Sequence, residues 1–259
     1  MMLSSAQIAA WLAAGLWPFL RISAFITAAP VFGNRLIPAR VRMGVALTLT
    51  VVIAPVIPPV PLIDPVSAPG LLLAIQQLLI GAALGFALRL VFAVLEIGGQ
   101  LIAQMMGLGF AVLVDPQNGI DVPVVSRLYL ILATLVFLNL NGHLAVVEVL
   151  SDSFVTLPVA SQGLGQRGLW ALVIHAGWVF SSAVRMALPA IIALFIVNLA
   201  FGVMARAAPQ LNIFAVGFPL TLIFGFFVML LTLPSTLTQF ESFFDFSIAA
   251  VRLMGPQGN

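Results

Sequence analysis

Long apolar blocks dominate the chain. A search for runs of about 20 apolar residues, the length that crosses the roughly 30 Å hydrocarbon core of a bilayer, gives six blocks. They cover residues 6–30, 42–60, 71–106, 127–150, 169–206 and 210–234. Unpaired strand edges are not tolerated in lipid, and the blocks lack the repeated ten-residue alternation of a membrane barrel. The pattern therefore predicts an all-α protein built of membrane-associated helical hairpins.

Two of these blocks are longer than a bilayer is thick. As continuous helices, 71–106 and 169–206 would each run on the order of 55 Å, so they must overshoot the bilayer, tilt strongly or break. Glycine pairs and proline are the usual causes of helix kinks. Gly98-Gly99 and Pro189 are therefore the candidate break points.

The sequence predicts that residues 1–259 form a single subunit, in which the hairpins occupy residues 1–235. From Thr236 to Met254 the sequence is typical of an amphipathic helix, with phenylalanines opposite acidic residues. Residues 236–259 are thus expected to form a C-terminal helix and tail that lies on a membrane surface or on a partner.

Composition narrows the class of protein. Of the 259 residues, 62% are hydrophobic and only 7% are charged, so lipid or partner subunits must cover much of the surface. The chain has no cysteine and no lysine, and only two histidines, which excludes thiolate metal sites and lysine chemistry. The net charge of +2 is spread thinly, which argues against nucleic-acid binding. We expect no enzyme activity, no metal and no cofactor.

Three arginines lie inside apolar blocks: Arg21, Arg89 and Arg185. A charge at the centre of a bilayer costs at least about 2.5–3.5 kcal/mol on the insertion scale. These side chains should therefore face protein or a water-filled channel.

A polar stripe runs along the third block. On a helical wheel Arg89, Glu96 and Gln100 fall within about 40°, and Gln104 lies a little further round. Such a stripe either lines an aqueous path or forms an internal network that holds helices together. The sequence favours neither interpretation over the other.

The segment after the third block is apolar but cannot continue a helix. It combines soft apolar side chains, backbone freedom and helix-breaking Asp-Pro, in the residues Met105, Met106, Gly107, Gly109, Phe110, Asp115, Pro116, Gln117 and Gly119. Irregular backbone at membrane depth survives only when it is packed in protein or lines a cavity. The loop at 107–126 is therefore a candidate plug or constriction, with an ordinary surface loop as the alternative.

Two further local signals are structural rather than chemical. Asn141-Gly142 is typical of a helix interruption, and His143 and Glu148 lie about 140° apart on a helix with no third ligand nearby, which argues against a metal site or proton relay. Gly81 and Gly85 match the close-packing pattern of membrane helices and predict a flat surface against a neighbouring helix.

Three groups of residues, in this order along the chain, carry a family resemblance. They are Arg42-Met-Gly-Val-Ala-Leu-Thr-Leu-Thr, then Gly109-Phe-Ala-Val-Leu-Val-Asp-Pro-Gln-Asn-Gly with Pro123 and Ser126, and then Phe137-Leu-Asn-Leu-Asn-Gly-His with Ser153-Phe-Val-Thr-Leu-Pro. In these residues the chain resembles the FliR/SctT family of type III secretion export-gate proteins, over essentially its whole length.

The resemblance implies a fold, partners and a location. Family members assemble with several copies of FliP and FliQ into a heteromeric helical pore in the bacterial inner membrane, at the flagellar basal body, with FlhB and FlhA associated. Unfolded flagellar polypeptides pass through this pore. The loop from Met106 to about Val122 matches the family's plug, and the resemblance singles out Phe110, Asp115, Pro116 and Gly119 within it.

A small-molecule secondary transporter is the alternative from another class. It would bind its substrate with Arg89, Glu96 and His143, because broken helices and intramembrane charges suit transporters as well. Transporters of this kind are built from inverted repeats, and the sequence shows no convincing internal duplication.

Overall fold

A computed structural model describes residues 5–34, 36–109, 124–159, 163–208, 213–252 and 254. In these ranges the chain is all-helical, as predicted, with seven helices. The helices are α1 (Ser5–Ala28), α2 (Ala39–Ile53), α3 (Ala68–Met105), α4 (Val124–Asn139), α5 (Gly142–Thr156), α6 (Gln166–Ala207) and α7 (Ile213–Arg252).

Each predicted apolar block contains helix, but not every block contains a helix of membrane length. Where the structure describes the side chains, α3, α6 and the part of α7 from Val216 are long and apolar enough to cross a bilayer, and α4 with α5 counts as a fourth span if the broken pair is one. The second block is mostly α2, whose 15 residues end at Ile53. Pro55 and Pro58 follow, and their missing N–H groups and fixed φ prevent the helix from continuing.

By its internal contacts the chain divides into two compact units. One comprises residues 1–90, 140–176 and 244–259, and the other comprises residues 91–139 and 177–243. Three of the four boundaries fall inside α3, α6 and α7, so each unit contains parts of these three helices, and the fourth falls between α4 and α5.

In the first unit α1 lies directly against α3, as the glycine pair predicts. A Cβ on Gly81 would collide with the carbonyl of Arg21, and one on Gly85 would lie 2.7 Å from the carbonyl oxygen of Phe25. Only glycine allows the two backbones to approach so closely. Trp17 and Phe25, fully buried, fill the core beside this contact.

The core of the second unit is built around aromatic rings. Phe92 contacts the rings of Phe137 and Phe240 edge-on, with centroids 5.7 Å and 5.4 Å apart. Edge-to-face pairs at this spacing add to the stabilisation from burial alone. Phe137 and Phe240 are fully buried, so α4 and α7 are held to the second half of α3 at this point.

The overlong helices do not end at the candidate break points. α3 has 38 residues and runs through Gly98-Gly99, and α6 has 42 and runs through Pro189. The glycine pair is instead a packing site, where Gly98 lies against Met186 and Gly99 against Ser126. At 1.5 Å per residue the two helices measure about 57 and 63 Å, which is about twice the hydrocarbon thickness of a bilayer.

The stretch from Thr236, expected to be an amphipathic helix, is helical as far as Arg252. It is the last part of α7, which is continuous over 40 residues. Pro219 and Pro234 lie inside the helix without ending it. The amphipathic pattern is nevertheless present, because Phe240 and Phe244 are buried while Glu241 is exposed.

Candidate functional site

The base of the predicted plug segment is a well-defined helix end. The amide of Leu108 donates to the carbonyl of Ala103, and that of Gly107 donates to the carbonyl of Gln104, both at 3.0 Å. These two bonds are the Schellman motif, which requires a left-handed residue, and Gly107 supplies it with φ 81°. The glycine therefore fixes where α3 stops and where the following segment leaves the helix.

The two methionines before Gly107 hold this helix end to α6 and α7. The carbonyl of Met105 accepts a hydrogen bond of 3.0 Å from Nδ2 of Asn198 in α6. The side chain of Met106 is fully buried and lies against Gly225 in α7, where a Cβ would stand 2.5 Å from its Cγ. The Met105 carbonyl, which as one of the last in α3 has no acceptor role within the helix, is thus bonded to α6, and the flexible Met106 side chain is packed against α7.

The segment itself begins where the described residues stop. Gly109 is half-buried, and a Cβ on it would lie 3.8 Å from Cγ of Gln104. The remaining candidates of the plug lie outside the described residues: Phe110, Asp115, Pro116, Gln117 and Gly119.

The polar stripe on α3 lies on the accessible side of the chain. Arg89 and Gln104 are exposed, and Glu96 and Gln100 are half-buried. In the part of the chain that the structure describes, neither Arg89 nor Glu96 takes part in an ion pair. Arg185 on α6 is exposed as well. These charges are thus available to water or to a partner subunit.

Arg21, by contrast, faces protein, as its position in an apolar block required. Its guanidinium donates to Oε1 of Gln77 at 2.8 Å and to the carbonyls of Ser153 and Leu157, both at 2.7 Å. It also lies 4.3 Å from the ring centroid of Phe154. The carbonyls belong to the C-terminal end of α5, where a cation is favoured by the helix dipole.

This arginine cluster joins three helices without a carboxylate. The side chain of Arg21 is fully buried, and its acceptors lie 56 to 136 residues away in the chain. The prediction that Arg21 faces protein follows from the sequence, but its partners could not be predicted. One glutamine and two backbone carbonyls form no recognisable sequence motif. The cluster fixes α1, α3 and α5 relative to one another within the first unit.

A second buried polar junction was missed by sequence reasoning. Nε2 of His175 in α6 lies 3.2 Å from Oγ of Ser247 in α7, and this hydroxyl donates at 3.0 Å to the carbonyl of Ala87 in α3. The His175 ring stacks on Phe246 at 5.6 Å. Within the first unit the junction ties the three long helices together.

The Asn-Gly interruption is confirmed. α4 ends at Asn139, Asn141 adopts a left-handed conformation with φ 55°, and α5 begins at Gly142. His143 is half-buried at the start of α5. Glu148 is engaged with Arg252, whose Nη2 lies 2.9 Å from its Oε1.

The described residues contain no group of three or more histidine, aspartate or glutamate side chains that could hold a metal ion. Together, the long apolar helices, the internally paired Arg21 and the exposed charges of α3 define an integral membrane protein of helical hairpins.

Comparison with known proteins identifies the family. The profile of the family described as "Bacterial export proteins, family 1" matches residues 12–247. The chain is 42% identical over 233 residues to the flagellar biosynthetic protein FliR of Escherichia coli (strain K12), which covers 89% of this chain and 88% of the relative. It is 31% identical over 237 residues to FliR of Bacillus subtilis (strain 168), which covers 90% of this chain and 91% of the relative.

The chain therefore belongs to family 1 of the bacterial export proteins, whose relatives above are flagellar biosynthetic proteins FliR. It is a membrane protein of flagellar biosynthesis and protein export, as the resemblance implied.

Proposed function

We propose that this chain is a structural and pore-forming subunit of the flagellar type III export gate. In this proposal it assembles with several copies of FliP and FliQ, and with FlhB and FlhA, in the inner membrane at the flagellar basal body. The assembled pore conducts unfolded flagellar polypeptides, and the loop at 106–122 closes it in the resting state.

The observation that carries the proposal is the length of the exposed apolar surface on α6. Large apolar side chains are exposed from Leu169, 52% accessible, to Met204, 45% accessible. Measured along the helix this is about 53 Å. If the helix is tilted by 40°, the upper end of the usual range, the length of helix inside a hydrocarbon core of about 30 Å is only about 39 Å. Lipid therefore cannot cover the whole surface, and protein partners are needed.

The polar stripe on α3 supports a conduit in that assembly. Arg89 and Gln104 are exposed although α3 is the most internally buried of the three long helices. A charged side chain on such a helix is favourable only where it meets water or a polar partner. An aqueous path beside α3 satisfies this requirement.

The plug role rests on the geometry at the base of the loop. Gly107 ends α3 abruptly, while Asn198 and Gly225 hold the two methionines before it. A segment that leaves a fixed anchor and is rich in glycine can swing aside at little conformational cost. Deformable apolar side chains then seal against many unrelated polypeptides.

Deleting Gly109 to Asn118 tests the plug. We expect cells containing the assembled deletion gate to leak ions, measured as loss of membrane potential, while complex yield is unchanged. A control replaces the same residues with a bulky apolar segment of equal length, which should restrict the leak. An ion-tight membrane around the assembled deletion gate would show that the loop is not a plug.

Co-purification tests the assembly. The tagged chain should retain FliP and FliQ in detergent, and the chain alone should move no solute in vesicles. Solute transport by the isolated chain would overturn the proposal in favour of the secondary transporter.

A further inference from the structure

Helix α2 presents an exposed surface along one side. Apart from Ala39 at the first position of the helix, the exposed positions are Arg40, Val41, Met43, Gly44, Leu47, Thr48, Val51 and Val52. At 100° per residue they form one continuous arc of about 180°. The opposite side carries the buried Ala46, Thr50 and Ile53, and α2 packs on α1. Half of the helix is therefore uncovered along its whole length.

This helix is too short to cross a bilayer. Its 15 residues measure about 22 Å, against a hydrocarbon core of about 30 Å. Pro38 precedes α2 and Pro55 follows it closely, so the helix cannot continue at either end. An exposed apolar arc on a helix of this length is suited to one leaflet rather than to a full span.

The N-terminal end of α2 is positively charged. Arg40 and Arg42 lie in the first turn, where there is no acidic residue. The first acidic residue of the whole sequence is Asp64. Arg40 is exposed, and Nε of Arg42 is shielded from solvent without a hydrogen-bond acceptor among the described residues. Neither guanidinium group has an acidic partner among the described residues, so an anion is favoured there.

The chemistry of the arc favours lipid over a protein partner. Between Arg40 and Val52 it carries aliphatic side chains and methionine, and the hydroxyl of Thr48, its one polar side chain beyond Arg40, is bonded internally to the carbonyl of Gly44 at 2.9 Å. It offers no aromatic anchor and no free directional polar group of the kind enriched at protein interfaces. Fluid acyl chains require neither, and arginine pairs readily with phosphate oxygens.

We propose that α2 is a lipid-binding helix, with its Met43–Leu47–Val51 side in the acyl region of one leaflet and Arg40 and Arg42 on the phosphate of an anionic phospholipid. Because both arginines lie at the N-terminal end of the apolar arc, that end of α2 lies at the headgroups, and this fixes how deeply the helix enters the leaflet. Anionic headgroups at a membrane surface attract arginines in this position.

Lipid retention by the purified full-length chain tests the headgroup contact. Native mass spectrometry in detergent would compare added phosphatidylglycerol with phosphatidylcholine. We expect preferential retention of phosphatidylglycerol, which falls about fivefold for each of Arg40→Gln and Arg42→Gln. The matched control is Arg127→Gln, another exposed arginine in the first turn of a helix, which should change nothing. Equal retention of both lipids, an unchanged double variant, or displacement by inorganic phosphate would overturn the proposal.

Spin labelling tests the apolar side without altering the arginines. The chain has no cysteine, so Leu47→Cys gives a single labelling site in the full protein. In native membranes we expect the label to collide with oxygen but not with a water-soluble nickel chelate. Protection from both reagents would show that protein covers α2, and access to both would show that water does. Either result would overturn the proposal, whether or not the chain forms a pore.

Discussion

Met106 lies in a notch that Gly225 leaves in α7. A Cβ on Gly225 would stand 2.5 Å from Cγ and 2.8 Å from the sulfur of Met106. Met106 comes directly before Gly107, whose left-handed backbone ends α3. The contact therefore fixes the end of α3 against α7 at the point where the candidate plug begins.

Filling this notch should loosen the end of α3. We expect Gly225→Leu to lower the free energy of unfolding by about 1–3 kcal/mol, because the added side chain must displace a fully buried methionine. The thermal unfolding midpoint of the purified chain measures the effect. Gly202→Leu is the control, since a Cβ on Gly202 meets no described atom within 4 Å. Equal midpoints for the two variants would contradict this account of the notch.

Removing the buried cation should be more damaging than removing one of its neighbours. Arg21→Gln takes away the donor to Gln77 and to the carbonyl of Leu157. Each buried acceptor left without a donor costs about 1–3 kcal/mol. We therefore expect a marked loss of folded protein in membranes, measured by detergent extraction and gel filtration.

The control for Arg21→Gln is Ser153→Ala. It removes a hydroxyl contact of 3.3 Å but keeps the Ser153 carbonyl, which accepts the shorter bond of 2.7 Å from Arg21. This variant should yield nearly as much folded protein as the wild type. Similar losses for both variants would show that the carbonyl contacts contribute little.

Helix ends with local signals were predictable from sequence. Asn141-Gly142 separates α4 from α5, and Gly107 ends α3, because both sites need a left-handed backbone that asparagine and glycine adopt readily. The close approach of α1 to α3 at Gly81 and Gly85 was also predictable, because two glycines four residues apart leave no side chains to keep the helices apart.

Features set by distant contacts were not predictable. Pro234 is a local breaking signal, yet α7 continues through it, and the burial of Phe240, Phe244 and Ser247 beyond the proline holds the second half in place. Gly98-Gly99 is a local kink signal, yet its glycines serve contacts with Met186 and Ser126. Tertiary packing decides such cases, and the partners lie far away in the sequence.

The two glycines of this pair should differ in their tolerance of alanine. A Cβ on Gly99 would stand 2.8 Å from the backbone Cα of Ser126, whereas one on Gly98 would meet the terminal Cε of Met186 at 2.5 Å. The methionine can rotate away but the backbone cannot, so Gly99→Ala should cost about 1–3 kcal/mol. Gly98→Ala should cost less than Gly99→Ala, because the backbone it meets, the carbonyl oxygen of Ala183, is further away at 3.3 Å, and because replacing a helical glycine gains up to about 1 kcal/mol.

Thermal unfolding of the two purified variants checks this difference. The 3.0 Å bond from Oγ of Ser126 to the carbonyl of Glu96 provides a second readout, because it lies beside Gly99 and should be lost only in that variant. Amide exchange in the second turn of α4, whose N–H groups bond to the carbonyls of the first turn, would report the resulting loosening. A larger destabilisation from Gly98→Ala would mean that Met186 is held rigidly in place.

The exposed charge on α3 should matter for export although it stabilises nothing in the chain by itself. Arg89 is exposed and makes no ion pair among the described residues, so Arg89→Leu should leave the thermal stability of the isolated chain almost unchanged. If the stripe faces water or a partner, the same variant should reduce gate assembly or flagellar export, measured by complex yield and swimming motility. Phe86→Leu, at a neighbouring exposed position on α3, is the control and should swim normally. Wild-type motility and complex yield in Arg89→Leu would show that the stripe is a passive surface, because an apolar side chain would then serve equally well.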